Sequence, residues 1–186
     1  PLLPEKGFTM YGSTAAFNFD SGTSTIAIVN LIRTCAKFRL SLTFPDHPAL
    51  SADNRFLIAN AANYTYVINN EQSALPQSDY FTYSAQIPLV DNGAQAYTNV
   101  TYVYEATRAP KLYIYTHINN STDAQEYSAD LPMPYRNYLY DIAIEVYENT
   151  NTTTKSSNAV DSPSGYRYSV RIKIYNEAGE LVREVR

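Results

Sequence analysis

The stretch Asp130-Leu-Pro-Met-Pro-Tyr-Arg-Asn-Tyr-Leu-Tyr-Asp-Ile-Ala-Ile-Glu-Val-Tyr147 decides the fold expected of this chain. From Tyr138 onward one set of alternate positions is aromatic or aliphatic, and the other set is mostly polar; the first set is Tyr138, Tyr140, Ile142, Ile144 and Val146. Successive side chains of a strand point to opposite faces, so the pattern predicts a long strand with one face in the core. Pro132 and Pro134 lack amide donors and predict an extended approach outside the sheet.

Two polar residues, Arg136 and Asn137, stand where this approach enters the predicted strand. Side chains at such a position can hydrogen-bond the backbone of neighbouring segments. The sequence therefore predicts that Arg136 and Asn137 form a structural anchor with no chemical role.

Length and composition indicate one large β domain, or one domain with an appended element. The chain has 186 residues, 18 of them Tyr and none Trp, and Tyr favours pleated, half-wet surfaces. The net charge of −4 is spread out and the 14 basic residues form no run, which argues against a nucleic-acid partner. No stretch approaches the roughly 18 consecutive apolar residues of a membrane helix, so no membrane span is expected. The opening Pro-Leu-Leu-Pro carries no leader pattern, so any signal peptide is expected to be already removed or not included in this sequence.

Many short segments alternate in the same way and are separated by turn residues. This order predicts an all-β, antiparallel β-sandwich of the transthyretin-like or Greek-key type with little helix. The expected organisation is an extended N-terminal segment and connection at 1–25, a sandwich domain at 26–147, a polar flexible loop at 148–165, and a C-terminal β-hairpin at 166–186. Within the sandwich, strands are expected at 26–44 with a bend near 30–33, and at 55–59, 64–68, 80–89, 100–105 and 112–117.

The search for catalytic, cofactor or metal residues finds none, so no enzyme activity and no cofactor are expected. His47 and His117 are far apart and lack carboxylates at a ligand spacing, and no glycine-rich phosphate loop is present. Cys35 is the single cysteine and lies in a strand pattern, which predicts a buried and inert thiol.

Four motifs, taken in order, resemble those of the Bacteroidales fimbrillins, the subunits of type V pili and their tip and anchor relatives. The motifs are Thr9-Met10-Tyr11-Gly12, Arg33-Thr-Cys-Ala36-Lys37, Tyr102-Val-Tyr104-Glu105, and Pro134-Tyr-Arg136-Asn137-Tyr-Leu-Tyr140-Asp-Ile142. In that family they belong to the end of the first domain and to the second β-sandwich domain. The closing segment 170–182 resembles a strand-turn-strand that usually opens the first domain, so its position here departs from the family order.

The resemblance implies a non-enzymatic structural subunit or adhesin of a bacterial fimbria, exported to the cell surface, a fimbrium or the outer membrane. Its implied partners are other fimbrial subunits, joined by β-strand complementation, together with host or bacterial surface ligands. The alternative is a carbohydrate-binding sandwich that uses tyrosines on an exposed sheet face.

The last strand, 180–186, is the segment expected to pair outside its own domain, through Leu181, Val182 and Val185. It follows a turn and ends the chain, and an edge strand leaves amides and carbonyls open to a partner. Strict alternation would place Leu181 and Val185 on the same face. The sequence leaves open whether the hairpin belongs to its own sheet, is a donor strand, or is part of another module.

Overall fold

The computed structural model describes residues 9–14, 28–44, 54–65, 80–81, 87–91, 96–118, 122–148, 160–161 and 166–186. All regular secondary structure in these ranges is β. The strands are β1 (Met10–Tyr11), β2 (Ile32–Arg33), β3 (Cys35–Thr43), β4 (Arg55–Ala59), β5 (Ala61–Ala62), β6 (Tyr80–Phe81), β7 (Ile87–Pro88), β8 (Val90–Asp91), β9 (Ala96–Tyr104), β10 (Lys111–Thr116), β11 (Gln125–Asp130), β12 (Leu139–Glu148), β13 (Val160–Asp161), β14 (Tyr166–Tyr175) and β15 (Leu181–Val185). These ranges contain no helix long and apolar enough to span a bilayer.

The larger sheet is built around β12, the strand predicted from alternation. Its order is β13-β14-β12-β3-β9-β8, with β15 also paired to β14. The predicted inward set is confirmed, since Tyr140, Ile142, Ile144 and Val146 are each at most 3% exposed. Tyr138 precedes the strand and packs half-buried against the core.

One pairing departs from the antiparallel expectation. β12 runs parallel to β3, with Leu40 beside Ile142 and Leu42 beside Ile144. Short hairpins force antiparallel neighbours, whereas strands joined by a long connection can pair in either direction. Here the connection from β3 to β12 includes the whole second sheet, so local alternation carries no information on their relative direction.

The second sheet has the order β11-β10-β4-β7. Its inward residues join those of the larger sheet in a single buried cluster and include Phe56, Ile58, Leu112, Ile114 and Tyr127. The rings of Tyr127 and Tyr168 meet edge-to-face between the two sheets, with centroids 5.2 Å apart. The fold is thus the expected all-β sandwich.

Several segment predictions are confirmed, and others differ from the structure. Of the strand expected at 26–44, residues 28–31 are outside any strand, and Thr34 separates β2 from β3 one residue after the expected bend. Pro88 lies in the edge strand β7, as expected. β11 was not expected at all. Residues 64–65 are outside any strand, and 66–68 lie beyond the described residues.

The two C-terminal segments differ in part from the expected organisation. The loop expected at 148–165 is interrupted by β13, while 149–159 and 162–165 are outside the described residues. The expected hairpin is β14 and β15, and β14 pairs with β12 over ten residue pairs. In the structure, therefore, the hairpin belongs to the larger sheet of the sandwich. Of the segment expected at 1–25, residues 9–14 are described and contain β1.

Candidate functional site

A tight turn at 135–138 carries the chain into β12. The amide of Tyr138 donates to the carbonyl of Tyr135 at 3.3 Å, closing the turn. Asn137 is its third residue and has φ 63°, a left-handed conformation that type II turns require at this position. Asn adopts this conformation more readily than other residues with a Cβ, which gives the physical reason for Asn here.

Asn137 connects three segments at the start of β12. Its amide nitrogen donates to the carbonyl of Cys35 at 2.9 Å, extending the ladder between β3 and β12. Its side-chain Oδ1 accepts from Nη1 of Arg33 at 3.1 Å, and its Nδ2 donates to Oε2 of Glu177 at 3.3 Å. The sequence predicts that this side chain hydrogen-bonds backbone groups. In the structure those bonds go to side chains, and it is the backbone of Asn137 that joins the ladder.

Two substitutions at Asn137 separate its backbone and side-chain contributions. Asn137→Gly keeps the left-handed turn but removes both side-chain bonds, whereas Asn137→Ala also adds strain of about 1–2 kcal/mol. We expect both variants to lower the free energy of unfolding, and the alanine variant to be less stable than the glycine variant by about 1 kcal/mol. Urea unfolding followed by circular dichroism measures the difference. Equal stability of wild type and Asn137→Ala would remove the anchor role.

Arg136 binds a carboxylate that sequence reasoning did not pair with it. Its Nε lies 2.5 Å from Oε2 of Glu105, and its amide nitrogen donates to Oε1 at 3.5 Å. The two side chains are 13% and 5% exposed, so this is a largely buried ion pair. Glu105 directly follows β9 and its amide donates to the carbonyl of Thr34 at 3.3 Å. The contact links the ends of β9 and β2 to the entry of β12, and the anchor role of Arg136 and Asn137 remains a proposal.

The hydroxyl of Tyr140 holds the proline-bounded approach in place. It donates to the carbonyl of Met133 at 2.8 Å and accepts from the amide of Tyr135 at 2.9 Å. Its ring packs edge-to-face on Phe38 with centroids 4.8 Å apart. Burial raises the pKa of Tyr140 above its usual value, because the phenolate would lose solvation.

The candidate pairing strand β15 lies on β14 and is irregular. Val185 faces Ile172 on the core side, and Glu184 faces Lys173 on the outer side. A register shift then places Leu181, not Val182, opposite Tyr175. Opposite residues of a ladder share a face, so Leu181 and Val185 point to different faces. The expected common face for these two residues is wrong, because a bulge adds one residue and reverses the alternation.

The exposure of β15 follows from this geometry. Leu181 and Val182 are 53% and 56% exposed, whereas Val185 packs against the core. No described strand pairs with β15 on the side away from β14. Leu181 and Val182 therefore form an apolar step beside an edge that no described strand covers.

At the β11 edge of the second sheet, a side chain hydrogen-bonds the backbone. The hydroxyl of Tyr168, from β14, accepts from the amide of Ser128 at 3.4 Å and donates to its carbonyl at 3.0 Å. These two bonds occupy backbone groups of β11 that a further strand would need, a form of edge protection. Among the described strands, edge pairing is thus hindered at β11, whereas the outer side of β15 has no neighbour.

The described residues also include several of the reactive groups and tyrosines that the sequence singled out. They contain no group of three His, Cys, Asp or Glu side chains that could hold a metal. Cys35 is buried as predicted, and burial raises the pKa of its thiol, which disfavours the nucleophilic thiolate. His117 follows β10, and His47 lies outside the described residues. Tyr64 and Tyr135, which are 41% and 45% exposed, stand in loops, while Tyr113 and Tyr115 are half-exposed on the outer face of β10. The carbohydrate-binding alternative stays a prediction.

Comparison with known proteins gives structural neighbours only. No protein-family model and no curated sequence matches the chain. A crystal structure of a candidate cell adhesion protein from Bacteroides eggerthii has a TM-score of 0.49 at 14% identity, covering 92% of this chain and 67% of that protein. Similarly described proteins from Bacteroides fragilis and Bacteroides uniformis each have a TM-score of 0.42, at 12% and 11% identity. The matches cover 82% and 80% of this chain but only 58% and 52% of theirs, and likenesses at this level establish no family.

Proposed function

We propose that this chain is a non-enzymatic structural subunit or adhesin of a bacterial cell-surface fimbria, in which neighbouring subunits pair by β-strand complementation. The observation that carries the proposal is the edge strand β15, with its apolar step at Leu181 and Val182. An open edge supplies ladder hydrogen bonds to an incoming strand, and adjacent apolar side chains supply burial. The fimbrillin-like order of motifs supports the same function.

The arrangement favours pairing by addition to β15 while β15 stays in its own sheet. Val185 and the pairing with β14 hold the strand, so the outer edge is the part offered to a neighbour. Full burial of Leu181 or Val182 would contribute roughly 1.5–3 kcal/mol each. That gain is modest, and stable assembly also needs the ladder bonds of a whole strand. The proposed partners are other fimbrial subunits, with host or bacterial surface ligands for an adhesin, and the proposed location is the cell surface.

Lysine substitutions in the apolar step test this role. Leu181→Lys combined with Val182→Lys places two charges beside the edge, and we expect self-association to be lost while thermal stability is kept, because both side chains are exposed. Sedimentation velocity over a concentration series measures the association. Val90→Lys is the matched control, since Val90 is 62% exposed at the opposite edge of the same sheet.

The control should associate like wild type. A wild-type chain that stays monomeric at the highest concentration, or a double variant that associates normally, would contradict pairing through β15.

A further inference from the structure

Two segments of the described part expose large aliphatic side chains that are direct neighbours in the sequence. One is β15, through Leu181 and Val182. The other precedes β2 and contains Ile28 and Val29, which are 74% and 44% exposed, and Leu31, which is 61% exposed. Grouped apolar side chains on a surface mark interaction sites, whereas single scattered ones need no explanation. Both segments are therefore candidates for a contact surface.

The backbone of Gly12, which directly follows β1, lies against the segment 28–31. A Cβ at position 12 would lie 2.5 Å from the carbonyl oxygen of Asn30, 2.8 Å from Cγ1 of Val29 and 2.9 Å from Cδ2 of Leu31. Glycine permits this close approach because it has no Cβ. The segment then continues into β2, which pairs with β1. The exposed side chains of 28–31 thus belong to a segment that is packed on its own neighbours and not to a free end.

The two apolar segments do not cover each other within one molecule, because both are exposed in the same structure. In addition, β2 and β15 belong to different sheets. A contact between the two segments therefore needs two copies of the chain. Such a contact joins two different surfaces, so a pair of copies keeps one surface of each kind for a further copy.

The charges that flank the two segments fit an antiparallel alignment. Arg33 stands two residues after Leu31, and Glu180 stands two residues before Val182. Both charged residues are exposed. An antiparallel alignment with Leu31 opposite Val182 therefore places Arg33 opposite Glu180. Apolar pairs and pairs of opposite charge are both favourable across a ladder.

We propose that the segment 28–33 of one copy docks antiparallel along β15 of a second copy, with Leu31 opposite Val182 and Arg33 opposite Glu180. The contact covers the apolar side chains that both segments expose in the single chain. This inference rests on the proposed assembly through β15, for which it names the partner segment.

Two variants of the full chain, each keeping one of the two surfaces, test the contact. The β15 variant carries Leu181→Lys and Val182→Lys and keeps the segment 28–33, whereas the segment variant carries Ile28→Lys and Leu31→Lys and keeps β15. Both should be folded by circular dichroism, because the replaced side chains are exposed. In sedimentation velocity each variant alone should have a self-association Kd at least roughly tenfold above that of wild type. An equimolar mixture should form a dimer with one copy of each variant and nothing larger.

Val90→Lys combined with Val100→Lys is the matched control. It adds the same two charges at valines of the larger sheet that are 62% and 41% exposed and lie outside both segments. This control should associate like wild type. A control that loses association as the two variants do would mean that added charge alone prevents it, and would overturn the proposal.

A charge exchange tests the alignment in the mixed dimer. Arg33→Glu, added to the β15 variant, should raise the Kd of the mixed dimer roughly threefold, because Glu180 of the other copy then meets a like charge. Glu180→Lys, added to the segment variant, should restore the original Kd. Recovery on the second exchange cannot come from a merely destabilised chain. A Kd that ignores Arg33→Glu, or that does not recover, would overturn the antiparallel alignment.

The outcomes separate this inference from the assembly on which it rests. A segment variant that associates like wild type would refute 28–33 as the partner and leave pairing through β15 standing, with a second β15 as its partner. Two monomeric variants whose mixture also stays monomeric would refute direct pairing of the two surfaces. A wild-type chain that is itself monomeric would refute the proposed assembly, and this inference with it.

Discussion

Replacing Ile142 with alanine is expected to lower the free energy of unfolding by about 2–5 kcal/mol, because it removes most of a large side chain from the core. Ile142 is fully buried in β12, with Leu40 of β3 on one side and Ile172 of β14 on the other. These neighbours are also at most 2% exposed and are held in ladders, so they cannot collapse into the space left by the removed methyl groups. The cost therefore combines the lost burial with a persistent cavity.

Two further alanine variants compare the buried face of β12 with its outer face. Ile144→Ala should also destabilise strongly, because Ile144 is 3% exposed on the same face. Glu145→Ala lies on the outer face and should stay within roughly 0.5 kcal/mol of wild type. Chemical unfolding of the three variants measures these differences. Small and equal effects at all three positions would be incompatible with β12 as a core strand.

The sequence predicted the elements whose alternation is regular. β12 and β3 have apolar residues at every second position, and their buried faces match the predicted faces. β11 reads Gln-Glu-Tyr-Ser-Ala-Asp and has only Tyr127 as a large inward residue. It is a strand because its backbone pairs with β10, and pairing between distant segments leaves little trace in a short, polar stretch.

The candidate site was predictable in part, for a related reason. Alternation identified an edge strand at β15, but the bulge opposite Tyr175 depends on how two strands fit together and reversed the face of Leu181. Likewise, Arg136 and Asn137 were recognisable as polar residues at a strand entry. Their partners Glu105, Arg33 and Glu177 come from distant segments that only the parallel pairing and the closing hairpin bring to the same end of the sheet.

The second large effect is expected from the ion pair of Arg136 and Glu105. Removing one member of a buried pair leaves an uncompensated charge and costs about 3–5 kcal/mol, so Arg136→Met should be strongly destabilising although methionine keeps much of the side-chain volume. The pair of Arg39 and Asp141 provides the comparison. Its atoms lie as close as 2.6 Å, but its side chains are 51% and 27% exposed. Arg39→Met should cost only about 0.2–1 kcal/mol.

The double variant Glu105→Leu with Arg136→Met shows why Arg136→Met is destabilising. The cause is either the loss of the attraction between the two side chains or the charge that is left unpaired on Glu105. If the leftover carboxylate is what destabilises Arg136→Met, removing it should restore most of the stability, since apolar replacements of buried pairs are often neutral or better. Recovery should stop about 1 kcal/mol short, because the amide of Arg136 also donates to Glu105 and would lose its acceptor. Thermal and urea unfolding of Arg136→Met, Glu105→Leu and the double variant give the coupling energy between the two side chains. Additive losses in the double variant would mean that each side chain acts through its own packing, and the ion pair would then not be what anchors the entry of β12.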